Sequence, residues 1–146
     1  MAILLLSAAG LASADNHRAL INYKLHCQGC HLPDMQGAIA AVPRLKNFVG
    51  YFMHSGEGRD FIAQVPGVAM SSLNDDDLAE LLNWMLQANS GEQLPDDFMP
   101  YSAKEVSVLR KTPNGDPLGQ RNGILDAVAE QLPELAAEIE TSGYAY

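Results

Sequence analysis

The 146-residue sequence predicts an all-α chain, on three observations. No stretch shows the sustained period-two alternation of a half-buried strand. Residues 74–87 carry a full helical stripe, with Leu78, Leu81, Leu82, Met85 and Leu86 at i, i+3, i+4, i+7 and i+8. Glycine and proline divide the remainder into segments of helical length. The length suits one domain, or one domain with an appendage.

The elements follow in order. Residues 16–30 read as a first helix with Leu20, Tyr23 and Cys27 on one side. Residues 32–42 are irregular and rich in glycine and alanine, with Pro33 and Gly37 as breakers. Residues 44–54 predict a helix that buries Leu45, Phe48, Val49 and Phe52. Gly56-Glu57-Gly58 is expected to break it, and residues 59–65 to form another short helix before Pro66-Gly67. Asn74 is a natural N-cap for the strongest helix, and Asp75, Asp76 and Asp77 place negative charge where the helix dipole favours it. Ser90-Gly91 ends that helix. Beyond it Pro95, Pro100, Pro113 and Pro117 punctuate short helical segments at 102–111, 120–131 and 133–140. Ser102-Ala103-Lys104-Glu105 has the form of a capping box at the start of the first of these.

Ala2-Ile3-Leu4-Leu5-Leu6 opens an uncharged apolar stretch that ends in Ala12-Ser13-Ala14, an A-x-A-like cleavage signal before Asp15. It is too short to span a bilayer. Residues 1–14 therefore read as a signal peptide whose basic start is missing, the alternative being an ordinary first helix. The expected organisation is signal 1–14, a main domain 15–91 and an acidic helical extension 92–146. The formal net charge is -9. Residues 15–91 hold eight acids and five Lys/Arg, residues 92–146 ten and four, so the acidity is concentrated in the extension. Such a surface repels nucleic acid and anionic lipid; it steers the chain toward basic patches on partners, or serves solubility alone. The extension has enough apolar positions to pack on the main domain or on a partner, and no chemical motif of its own.

Cys27-Gln28-Gly29-Cys30-His31 contains both cysteines of the chain. C-x-x-C-H is the attachment signature of a c-type haem. Two thiols three residues apart lie on one side of a helical turn and can reach the two vinyl groups of one porphyrin edge. His31 then stands beneath the iron as the proximal imidazole. A redox dithiol would want a preceding strand and a βαβ setting, a zinc site needs a fourth ligand, and a plain disulfide leaves His31 without a role. Export fits the motif, because bacterial c-type haem is attached outside the cytoplasm.

With this motif at the end of a helix, Val42-Pro43-Arg44-Leu45 after it and Asn74-Asp75-Asp76-Asp77-Leu78 to Asn83-Trp84 in the capped helix, the chain resembles a class I cytochrome c over about residues 16–89. The resemblance implies an all-α fold wrapped around one covalent haem, here with a short helical C-terminal extension. It implies that Pro43 offers its carbonyl to the ring N–H of His31, fixing the tautomer. It implies that Trp84 crosses the first helix near Tyr23 or Leu20, beside the cofactor. Met70, in Gly67-Val68-Ala69-Met70-Ser71, stands where the family carries its sixth ligand, although Ser71 replaces the usual proline. His54 and Met53 are the rivals; Met99, His26 and His17 are weaker candidates. Haem propionates need charge-assisted donors, for which Arg44, Lys46, Tyr51, Trp84 and above all Arg59 are candidates.

The expected function is a periplasmic or secreted monohaem electron carrier rather than an enzyme, with His31 and Met70 holding the iron. It would pass single electrons from a periplasmic dehydrogenase to an oxidase or another cytochrome. Its partners would be redox proteins with basic docking patches, with no nucleic acid and no membrane span after signal removal. The alternatives are a haem protein with an open or weak sixth site, for gas binding or peroxidase-like chemistry, and a haem subunit of a larger oxidoreductase.

Overall fold

The first helix, α1 (Ala9–His26), turns at Cys27 into a single further helical turn, α2 (Gln28–His31). The computed structural model describes residues 9–39 and 41–142, with side chains from residue 16 onward. The helix α1 thus runs through the expected cleavage signal, and residues 1–8 of that segment lie outside the described residues. Its buried face is Ala19 and Tyr23, one helical repeat apart, with Cys27 against the core below them.

Residues 32–42 are irregular, as expected, and so are residues 43–48, the whole stretch being tied by backbone bonds. An isolated bridge joins Ala38 to Val42, and the amides of Leu45 and Lys46 both donate to the Met35 carbonyl. The helix expected over 44–54 is a shorter 3-10 helix at Val49–His54, which buries Val49, Tyr51 and Phe52, with Phe48 buried just ahead of it. Gly56-Glu57-Gly58 does not break the chain. It forms the first turn of α3 (Gly56–Gln64), because Ser55 caps the helix by accepting from the Gly58 amide. Gly58 is required there: a Cβ would sit 2.2 Å from the Phe52 carbonyl oxygen.

A single turn, α4 (Pro66–Ala69), leads to α5 (Asp75–Asn89). Its Asn74 cap accepts from the Asp77 amide at 2.9 Å, and all five residues of its apolar stripe are buried. The extension forms α6 (Ala103–Leu109), α7 (Pro117–Ala129) and α8 (Pro133–Ser142). Both halves of the Ser102/Glu105 capping box are made.

Helix α1 packs on α5, α6 packs on α5 and α3, α7 packs on α3 and the 3-10 helix, and α8 packs on α7. Val106, Ile124, Leu125, Val128 and Leu135 belong to the same core as Phe48, Phe61 and Leu82. The extension is therefore built into the main domain. Asn83 fixes its start, donating to the Tyr101 carbonyl at 2.9 Å and accepting from the Tyr101 amide at 2.7 Å. Among the described residues there is no strand, and no helix is long and apolar enough to cross a membrane.

Candidate functional site

The turn at Cys27 carries the chemistry. The amides of Cys30 and His31 both donate to the Cys27 carbonyl, so the two thiols and the imidazole follow one another around one tight turn. Both thiols are free. Burial, with Cys30 adding, pushes the Cys27 thiol up. Tyr23 anchors the exit of the motif: its hydroxyl donates to the Leu32 carbonyl at 2.6 Å. Burial raises that phenol to about 12, with Cys27 and Asp34 contributing.

His31 Nδ1 lies 3.2 Å from the Pro43 carbonyl oxygen. A carbonyl only accepts, so Nδ1 carries the ring proton and Nε2 keeps its lone pair for a metal. Burial lowers the His31 pKa, against the raising effect of the Pro43 bond, which favours the neutral, ligating ring. Gly37 makes this bond possible. Its φ is +69°, and a Cβ there would meet the Val42 carbonyl oxygen at 2.3 Å and that of Pro43 at 2.7 Å.

These groups open onto a cavity of about 470 Å³ that Cys27, Cys30, His31 and Pro43 line on one side. Aliphatic and aromatic side chains line much of the rest, including Phe52, Phe61, Ile62, Leu81 and Leu82. Pro117, Leu118 and Arg121 complete it from the extension. Arg121 is only 4% exposed, with its guanidinium 5.3 Å from the Phe48 ring centroid. Arg44 also lines the cavity and pairs with Glu138.

The other expected site residues lie differently. Trp84 packs on Tyr23, ring centroids 5.9 Å apart, and does not line the cavity. It packs at the α1–α5 crossing. Arg59 is directed to the extension: Nε and Nη2 donate to Glu105 at 2.6 and 3.0 Å, Nη1 donates to the Met99 carbonyl, and the guanidinium lies 4.1 Å from the Tyr101 ring centroid. The Met70 side chain is 71% exposed, whereas Gly67, Val68 and Ser71 around it line the cavity. His54 bonds to the Gln93 carbonyl, Met53 packs on the core away from the cavity, and His26 sits exposed on the cavity rim. Lys46 and Tyr51 do not line the cavity. Among the described methionines, Met85 is the one whose residue lines it.

Motif pattern alone does not point to Arg121 or Gly37 as site residues. Arg121 had a legible signal: it shares the apolar face of α7 with Ile124, Leu125 and Val128, and a cation on an apolar stripe faces something that needs charge. Gly37 read only as a breaker, since nothing local shows which carbonyl passes over it.

Over 128 aligned residues the chain is 30% identical to cytochrome c-552 of Thermus thermophilus, covering 75% of this chain and 84% of that protein. This chain is a c-type cytochrome. No protein-family model and no solved structure matches it. Its helices form the all-α cytochrome c fold. The alignment is longer than the 77 residues of the expected main domain, so the likeness reaches beyond residues 15–91.

Proposed function

We propose that this cytochrome is a class I, monohaem electron carrier of the periplasm or an extracellular space. One haem c is attached through Cys27 and Cys30, with His31 as proximal ligand. The carrying observation is the His31 Nδ1–Pro43 carbonyl contact, which leaves Nε2 as the ligating nitrogen of a residue that lines an apolar cavity together with Cys27 and Cys30. Bound haem supplies one iron that alternates between ferric and ferrous states. The chain's own part is to hold His31 in one tautomer, to exclude water with the apolar lining, and to place cations near the carboxylates of the group. Arg44 and Arg121 line the cavity and are the donors for the propionates.

Met70 is the proposed sixth ligand, supported by its place between Val68 and Ser71 on the cavity wall. A periplasmic dehydrogenase and a downstream oxidase or cytochrome are the proposed partners, met through basic patches that suit the acidic surface. The signal-peptide reading of residues 1–14 supports export.

The exposed Met70 side chain favours a second reading, in which the sixth position is open or weakly held. Absorption spectra of the holoprotein, oxidised and reduced, with and without carbon monoxide, separate the two. A carrier held by Met70 is low-spin, refuses carbon monoxide and shows the methionine–iron charge-transfer band, and Met70→Ala loses all three. Ready carbon monoxide binding by the wild type supports the open site. A silent Met70→Ala with low-spin iron points to Met85, which lines the cavity, or to Met53 or His54.

A further inference from the structure

Besides its own local bonds, the segment that carries Met70 is bound by a side chain of the extension. Arg110, the C-cap of α6, is mostly buried and directs its whole guanidinium at residues 69–75. Nε donates to the Ala69 carbonyl at 3.1 Å and Nη1 to the Leu73 carbonyl at 2.8 Å. Nη2 donates to the Ser71 carbonyl, and Nη1 also meets Asp75 Oδ1 at 3.1 Å. Three alternate carbonyls, that of Ala69 at the end of α4 and those of Ser71 and Leu73 beyond it, are thus gathered by one planar fork. No helix or sheet would satisfy them in this way, and a lysine offers a point charge where the fork offers directed donors.

Met70 stands between the first two of these carbonyls. Its neighbours Gly67, Val68 and Ser71 line the cavity. Arg110 thus restrains the carbonyls on either side of Met70, while the Met70 side chain itself, on a residue 71% exposed, reaches the cavity by rotation about its own bonds.

We propose that Arg110 is a positioning residue: it fixes the backbone that presents Met70 to the haem cavity, and so sets how firmly the sixth position is held. This rests on the reading of Met70 as sixth ligand. A free loop spends part of its time with the ligand withdrawn, and a competing ligand then enters in proportion to that fraction. Arg110 suppresses the withdrawn population.

The test is carbon monoxide affinity of the ferrous holoprotein, read with the charge-transfer band of the ferric form, in Arg110→Gln, Arg110→Lys, Met70→Ala and Leu125→Ala. Losing charge-assisted bonds to three carbonyls is expected to raise carbon monoxide affinity about tenfold or more in Arg110→Gln and to weaken the band. Arg110→Lys, which keeps the charge and one or two bonds, falls between it and the wild type and carries the test if Arg110→Gln does not fold. Leu125→Ala lowers stability through the extension's core without touching the loop, and keeps wild-type carbon monoxide refusal. If the Arg110 variants match the wild type while Met70→Ala opens the site, the inference is wrong and the Met70 reading stands. If Leu125→Ala opens the site as much as Arg110→Gln, Arg110 acts only through stability and the inference is wrong. If Met70→Ala changes nothing, the ligand reading fails and the inference falls with it.

Discussion

Residues 16–43 and residues 92–142 meet the same cavity with opposite chemistry. The first region supplies donor atoms, two thiols and an imidazole, ordered within itself by short-range bonds such as Cys30 and His31 to the Cys27 carbonyl. The second supplies no candidate donor to iron from its cavity lining. It contributes Arg121 to the cavity, Glu138 beside Arg44, Glu105 beside Arg59, and Arg110 on the Met70 segment. The first region announces itself because its chemistry is local. The second is read as an acidic appendage because each of its contacts joins residues tens of positions apart. Its acidity is partly internal: two of its carboxylates neutralise arginines of the main domain.

If the extension is structural in this sense, deleting residues 92–146 is the most severe test. Five aliphatic side chains buried by it each contribute about 1.5–3 kcal/mol, on the order of 10 kcal/mol together and comparable to a domain's whole stability. The truncated chain is expected to lose cooperative thermal unfolding in circular dichroism. An appendage would leave that transition in place.

Single substitutions sharpen the comparison. Leu125→Ala, in the extension, removes a fully buried side chain and should cost about 3 kcal/mol in urea unfolding of the holoprotein. Gly37→Ala, in the motif region, forces a Cβ onto the Val42 and Pro43 carbonyls at positive φ and should cost about 2 kcal/mol. Gly37→Ala should also perturb the spectrum, through the His31–Pro43 bond, while Leu125→Ala leaves it intact.

The Arg59–Glu105 pair links the regions through pH. The Arg59 guanidinium, against some opposing desolvation, holds the Glu105 carboxyl below its usual range. A depressed folded-state pKa gives stability that is complete above the ordinary carboxylate range and is lost as pH falls through the lowered value. The side chains are 21% and 31% exposed, so the effect is about 1 kcal/mol. Urea midpoints of wild type and Glu105→Gln should differ at neutral pH and converge in acid. The smallest effects are the helix caps: Asn74→Ala in α5 and Ser102→Ala in α6 should each cost about 1 kcal/mol, with thermal melts showing the two regions equally dependent on their caps.

Much of the fold was legible. The α5 cap and stripe, the α6 capping box and the helices of the extension all stand close to where residue pattern placed them, because caps and stripes are local devices. The 44–54 segment misled, since burial of Phe48 and Phe52 is met equally by a 3-10 helix. Gly58 misled because the Phe52 carbonyl occupies the space a Cβ would take, so that glycine serves close packing inside a helix; Gly56 misled because the Ser55 cap, not the glycine, sets where that helix starts. At the site, the Cys27-to-His31 motif and the Pro43 carbonyl were readable, the second only through family likeness. Arg59 lies apart from the cavity because its partner, Glu105, is 46 residues away, a distance no spacing rule spans.

The most direct test of the account is the mass of the denatured chain after maturation in a periplasm that attaches c-type haem, measured for the wild type and for the Cys27→Ala/Cys30→Ala double variant. The wild type is expected to keep the mass of one haem through acid extraction, and the double variant is not. A wild-type chain that emerges with both thiols free would contradict it.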